Sequence, residues 1–529
     1  MTQDGNDATK DSAAGQQVSR EKSGALPWWL VCGDKNPEVT AFYMAGFGRS
    51  ALFISFNFLV PAIIHFAYAD AGCRQYEGLD DDALFDDGEA GQYFEKGWNK
   101  GAAASKPDEC EGTVLWGLRP SSIVSVTATI GGVVVACGMP LAGSIVDATD
   151  GRHRFGQVCV WTLTLSNAAM CFITRETWFL MTLMQAVVAT FSFFGLALVV
   201  YAYLPELFTD VEECVRVSKA GREYEQVGML VLIVLTTALS LGLGLGVVPT
   251  AIVGQALAAL LGGPLCVRAF QLFQPRKANR ARAPNTWLVA DGAMHLARVF
   301  GQLKRDYPNA AIFLVGQIFA EAATGSLTTG AILILDNVGL SAWIGVYLAV
   351  VMVFMMCGPT LYQAVARKTG SVRVSLLLSI GAFVVFFVLF VFAASTPVLA
   401  WCFAPIIGVV YGWYYPGLNS TLALLVPGGH EGELAGLNLF TAAVLSWVPP
   451  LIITVFNELN LLSVGLLSIP LFWLIGAAVL SRMDMEQAAE HVAASIKKRQ
   501  RYHDQAGGGR PILSSGSTPV LEEEVEEKA

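Results

Sequence analysis

Apolar runs of roughly 20 residues recur along this chain, each long enough to cross a hydrocarbon core of about 30 Å as a helix. Backbone inside lipid must satisfy its own hydrogen bonds, so runs of this kind fold as transmembrane helices. The chain has 529 residues, 54% apolar and 15% charged, and its mean hydropathy is +0.52. These values predict an all-α polytopic membrane protein, not the several soluble domains that such a length otherwise suggests.

The runs fall at 41–68, 120–143, 156–175, 178–204, 227–246 and 248–272, then at 310–335, 341–365, 373–394, 398–425, 434–457 and 460–481. The expected architecture is twelve transmembrane helices in two pseudo-equivalent six-helix halves, 41–273 and 310–481. Residues 1–40 are polar, which predicts a disordered tail. They carry no apolar h-region, so no cleaved signal peptide is expected. An acidic loop, 70–119, follows the first run, a basic linker occupies 274–309, and 482–529 form a polar tail. Within the linker, Leu296, Val299, Phe300 and Leu303 recur at helical spacing, which predicts an amphipathic helix against the membrane face. That helix is either a tether between the halves or a regulatory element.

Charge sets the expected orientation. Lys and Arg gather in alternate loops, among them Arg152, Arg154, Arg216, Lys219 and Arg222, whereas the opposite short loops carry only Arg175. The positive-inside rule then places both termini and the linker in the cytosol and the acidic loop in a lumen or outside. Cys73 and Cys110 share that loop and can form a disulfide where it faces an oxidising lumen. The net charge of −9 lies mainly in the acidic loop and the C-terminal tail. No basic patch with interleaved aromatics is present, so nucleic acid is not an expected partner.

The sequence has no Walker loop, no Gly-x-Ser-x-Gly elbow and no Cys-x-x-Cys pair. His153 and His430 lack partners at metal-ligand spacing. No enzymatic, metal or cofactor chemistry is therefore expected. Ionisable groups inside spans are costly and mark pathways or pairs. Arg49 in the first span and Glu321 in the seventh lie roughly 12 and 16 Å from the linker-side ends at about 1.5 Å per residue. A charge pair across a central cavity is expected. Either Glu321 takes a proton or grips an ammonium while Arg49 receives a carboxylate, or the two form a fixed structural bond. Asn57, His65, Gln185, Gln255, Gln317, Trp413, Tyr414, Tyr415 and Asn419 are secondary candidates, each able to bond a solute or another helix.

Between the second and third runs stand Gly143, Asp147, Arg152 and Arg154, a pattern that resembles the loop after the second span of major facilitator transporters. Ala148 and the late Gly151 depart from that pattern, and the counterpart loop of the second half, Arg367 to Arg373, lacks the Asp. The loop is expected to be a gating clasp in which Asp147 caps a helix end or pairs with Arg152 or Arg154, or else a solvated turn. Further on, Pro427, Glu431, Glu433, Gly436, Leu437, Ser446 and Pro450 resemble the Leu-Ile-Pro, acidic, Phe-Gly-Leu-Tyr and Ser-x-x-Gly-Pro elements of the vacuole effluxer family, an autophagy-related branch of the same superfamily. Ala435, Asn438 and Pro449 differ from those elements. Pro205 and Glu206 in Tyr203-Leu-Pro-Glu-Leu207, Thr286-Trp287 before the amphipathic segment, and Glu321 are similar to further family elements.

The resemblance implies a major facilitator fold and export of amino acids from a vacuole- or lysosome-like lumen to the cytosol. Transport would be secondary active or facilitative, by alternating access in the bilayer; protons are one candidate coupling ion. Two other readings stay open. One is a plasma-membrane carrier of the same fold for a sugar, nucleoside or carboxylate. The other is a non-transporting membrane sensor or scaffold.

Overall fold

The structure is a computed structural model and describes residues 36–72, 112–114, 117–207, 211–278, 287–340, 343–425, 431–485 and 487. The expected N-terminal tail up to 35, the Cys73–Cys110 pairing, Pro427 and the C-terminal tail beyond 487 lie outside the described residues, as do the side chains of Pro205, Glu431, Glu433 and Gly436.

Regular structure among the described residues is helical, apart from one isolated bridge between Val114 and Leu118. In the first half α1 (Pro37–Ile54) and α2 (Phe56–Asp70) form one span interrupted at Ser55. Next come α3 (Ser122–Ala148), α4 (Arg152–Met170) and α5 (Trp178–Leu183), which runs through a π-helical stretch (Met184–Ala189) into α6 (Thr190–Leu207). The half closes with α7 (Val211–Leu243) and α8 (Val247–Leu272). The linker holds α9 (Leu288–Asp306). The second half contains α10 (Pro308–Asn337), α11 (Ile344–Met355), α12 (Gly358–Thr369), α13 (Val372–Ala393) and α14 (Pro397–Leu425). It ends with α15 (Glu431–Val444), α16 (Val448–Glu458), α17 (Leu462–Leu466) and α18 (Ser468–Leu480).

Local chemistry sets the ends of these helices. The Asn36 side chain accepts from Glu38 N at 3.0 Å, Pro37 opens α1, and Glu38 lies in its first turn, a favourable set for a helix start. Gly370 ends α12 at φ 64, a left-handed cap that favours glycine.

Eleven stretches among the described residues are long and apolar enough to cross a membrane. The count by composition is therefore eleven, against the twelve expected. The difference is α4, whose start carries Arg152, His153, Arg154 and Gln157; it nonetheless packs between α6 and α8. Boundaries shift as well. The first span begins at Pro37, and the fifth reaches back to Arg216. Arg222, expected in a loop, thus sits on a membrane helix.

One apolar cluster draws chiefly on α1–α8 and a second chiefly on α10–α18. The halves repeat a contact. Gly48 of α1 meets Gly262 of α8, where a Cβ at either would lie 2.6 Å from the other's carbonyl oxygen. Gly316 of α10 meets Gly476 of α18 in the same way, at 3.3 and 3.0 Å. Small residues let such helices approach closely in lipid.

On the face opposite the linker the halves are joined by hydrogen bonds. Asn457 Nδ2 donates to Ser121 Oγ and Ser122 Oγ, both at 2.8 Å, and Thr454 Oγ1 donates to Ser125 Oγ at 2.7 Å. Arg119 N donates to Glu458 at 3.0 Å, and Tyr68 OH donates to Asp336 at 3.4 Å. Deeper in, Gly132 lies against the backbone of Trp447.

Candidate functional site

Helices α1, α7 and α10 bring three charged residues to one depth. Arg49, Glu225 and Glu321 lie roughly 18–21 Å along their helices at about 1.5 Å per residue, counted from Pro37, Val211 and Pro308. Arg49 is buried and donates from Nη2 to Glu225 Oε1, with its guanidinium 4.6 Å from the Phe193 ring centre. Tyr201 OH donates to the same oxygen at 3.0 Å. Arg222, one turn earlier on α7, reaches Glu225 Oε2 at 3.2 Å. Two guanidiniums and a phenol therefore hold Glu225 as an anion.

The pairing expected between Arg49 and Glu321 is not formed. Helix α1 packs along α7 and α8 of its own half, and Glu225 answers the Arg49 charge there. Glu321 instead accepts from Tyr414 OH at 2.9 Å. The Tyr415 ring lies 5.2 Å from those of Tyr411 and Tyr414, extending an aromatic wall from α14.

Arg222 carries charge on the Glu321 side of the Glu225 cluster. It bonds Glu225 of the first half and lies within electrostatic reach of Glu321 of the second. Its side chain is 42% accessible, whereas that of Glu225 is 6% accessible. The Tyr201 ring centre lies 5.6 Å from the Arg222 guanidinium. Arg222 is the accessible cation of this cluster.

Gln317, one turn before Glu321 on α10, is 1% exposed, and its Oε1 has no hydrogen-bond partner. An unsatisfied buried acceptor costs about 1–3 kcal/mol, so this oxygen favours a ligand that donates. Gln317 follows Gly316 as Arg49 follows Gly48, which makes it the second half's counterpart of Arg49.

The other expected residues separate. Gln255 donates to Ser55 O at 3.0 Å, and Ser55 Oγ bonds Asn167 at 2.7 Å, so Gln255 ties helices together inside its half. Trp413 Nε1 donates to Ser375 at 3.0 Å, another helix-to-helix tie. Asn57, His65 and Asn419 are half-buried. The Oε1 of Gln185, in the π-helical stretch, is buried without a partner.

The expected clasp on the linker face takes a different form. Arg152 is 1% exposed and bonds Glu206 at 2.6 Å and Val146 O at 3.0 Å, in place of the expected Asp147. Arg276 of the linker bonds the other Glu206 oxygen at 2.7 Å and Glu38 at 2.8 Å. The Tyr203 ring centre lies 5.6 and 5.4 Å from the Arg152 and Arg276 guanidiniums. Asp150 accepts from Ala278 N at 2.8 Å. This network stitches the start of the linker to the first half. Burial holds the pKa of His153, beside Tyr203, below the ordinary imidazole value, which keeps its ring neutral near pH 7. A Cβ at Gly143 would meet nothing within 4 Å, so no close contact demands glycine there. The linker helix is tight instead: a Cβ at Gly292 of α9 would lie 2.0 Å from Pro140 O, and Ser144 Oγ donates to the buried Asp291 at 3.4 Å.

Sequence reading missed Glu225, Arg222 and Tyr201. The expected run, 227–246, is about 30 Å long and spans the core by itself, so nothing in its length called for Glu225 and Arg222. Only the structure, which ends α7 at Leu243 and carries the span back to Arg216, brings them in.

Comparison with known proteins bears on the fold and the family. The human organic anion transporter MFSD10 (TETRAN) superposes with a TM-score of 0.52 at 15% identity, over 84% of this chain and 100% of that one. A POT family transporter in complex with thioalcohol conjugated peptide superposes at 0.55 with 11% identity, over 84% and 95%. A mutant of the peptide transporter POT gives 0.53 at 11% identity, over 86% and 95%. At such identities the likeness concerns the fold, which is that of major facilitator transporters. No curated protein matches the chain. The family described as "Vacuole effluxer Atg22 like" matches residues 35–493, nearly the whole membrane bundle and the linker within it, and the chain belongs to that family of multi-pass membrane transporters.

Proposed function

We propose that this protein carries amino acids from a vacuole-like lumen to the cytosol by alternating access, with the cluster around Arg222 as its substrate site. The linker face is read as cytosolic, in line with the excess of Lys and Arg on its loops. The halves touch on the opposite face, and the accessible side chain of Arg222 is read as lining a cavity open to the cytosol.

The observation that carries the reading is the unequal state of the two carboxylates. Glu225 is fully answered by Arg49, Arg222 and Tyr201. Glu321 has the Tyr414 hydroxyl, and Gln317 Oε1 beside it lacks a donor. A substrate carboxylate fits Arg222, which Glu225 shares with Arg49, and a substrate ammonium fits Glu321 and Gln317. A zwitterion of amino-acid size satisfies both ends at once. When the site is empty, a proton on Glu321 removes the cost of its buried charge, which supplies a route to proton coupling.

Uptake of labelled amino acids by proteoliposomes, with and without a proton gradient, tests this function. Saturable flux supports it. Absence of flux for every amino acid, alongside flux of a sugar, nucleoside or simple carboxylate, moves the assignment to another solute of the same fold.

A further inference from the structure

Arg152 and Arg154 stand two residues apart at the start of α4 and go opposite ways. Arg152 turns inward to Glu206, buried. Arg154 is exposed and lines a groove of about 870 Å³ on the outer surface of the first half, with Gln157, Val158, Trp161, Leu165 and Met184. Val158, Trp161 and Leu165 are 61%, 53% and 59% exposed, and on a helix packed into a membrane bundle that exposure is to lipid. From Arg154 to Ala169 the groove extends roughly 22 Å at about 1.5 Å per residue, starting at headgroup level and passing the midplane of a core of about 30 Å. It therefore has the length for a headgroup and one acyl chain. Met184, on its wall, begins the π-helical stretch of the fourth span.

We propose that this groove binds one anionic phospholipid, with its phosphate on Arg154 and Gln157 and an acyl chain along Val158, Trp161, Leu165 and Met184. Bulk lipid wets any apolar helix face. This face differs in ending on a cation and an amide at headgroup height, the chemistry by which basic pockets at membrane surfaces retain acidic lipids. The polar start of α4 also explains why this helix falls short of the apolar content of the other spans: its outer end is matched to a headgroup. The lipid site is independent of the substrate site.

Native mass spectrometry of the full chain, purified with equal amounts of phosphatidylglycerol and phosphatidylcholine, tests the proposal. The wild-type protein should retain phosphatidylglycerol about fivefold over phosphatidylcholine, the scale of one cation near acidic lipid. Arg154→Gln should bring that ratio to about one, Arg154→Lys should keep it, and Leu165→Trp, which fills the groove, should reduce retention of both lipids. A wild-type ratio of one overturns the proposal without recourse to any variant. So does an unchanged ratio in Arg154→Gln, or unchanged retention in Leu165→Trp.

Discussion

Arg49 is bonded to Glu225 of its own half, and Glu321 of the other half is bonded to Tyr414. The first half thus contains a closed ion pair, and the second a carboxylate without a full counter-charge. Arg222 stands between them as the accessible cation. A fixed bond between moving halves would oppose rocking. The Arg49 pair avoids that by staying within one half.

Breaking the closed pair should cost stability more than specificity. Arg49→Leu leaves Glu225 with only Arg222 and Tyr201, and loss of one partner from a buried pair costs about 3–5 kcal/mol. Thermal unfolding in detergent should show a clear fall for this variant. The double variant Arg49→Leu/Glu225→Leu should recover most of the loss, because no buried charge of the pair remains and Arg222, which also loses Glu225, is accessible to water. A double variant no more stable than the single one contradicts the assignment.

Arg222→Gln should behave in the opposite way. Its side chain is accessible, so folding should change little. Loss of a charge-assisted bond to a substrate carboxylate, about 1.5–3 kcal/mol, predicts a KM raised roughly 10- to 150-fold. An unchanged KM in transport assays removes Arg222 from the substrate site.

Much of the fold was legible because apolar length is a strong signal, and α9 announced itself through Leu296, Val299, Phe300 and Leu303. The site was legible only in part. Arg49, Glu321, Gln317 and Tyr414 stood out as polar groups in apolar runs. Glu225 and Arg222 did not, because near the charged residues Arg216 and Lys219 they resembled a loop. Partner choice was hidden for a geometric reason: depth along a helix can be counted from sequence, but the direction a side chain faces depends on packing. For the same reason the sequence offers Asp147 as a helix cap or as a partner of Arg152 or Arg154, whereas Arg152 pairs with Glu206, which comes from the end of α6.

The seat of the linker helix is also testable. A larger residue at Gly292 cannot keep its place against Pro140 O, because that obstacle is backbone. Gly292→Leu should lift α9 from α3 and expose Ser144, now 1% accessible. A cysteine at that position (Ser144→Cys) should resist alkylation with Gly292 intact and react in the Gly292→Leu background. Equal protection in both would place the packing of α9 elsewhere.

Proton and ammonium compete for one carboxylate in this account, which fixes the sign of the pH effect. Lowering the pH on the side where substrate binds neutralises Glu321 and should raise the apparent KM. A wild-type KM that falls with acidity has the wrong sign for this site.

The most direct measurement is uptake of labelled amino acids into proteoliposomes by the wild-type protein and by Glu321→Gln, at matched protein incorporation and with a proton gradient imposed. The account predicts saturable flux for the wild type and none above background for the variant, with both proteins equally folded. Full activity in Glu321→Gln would contradict it.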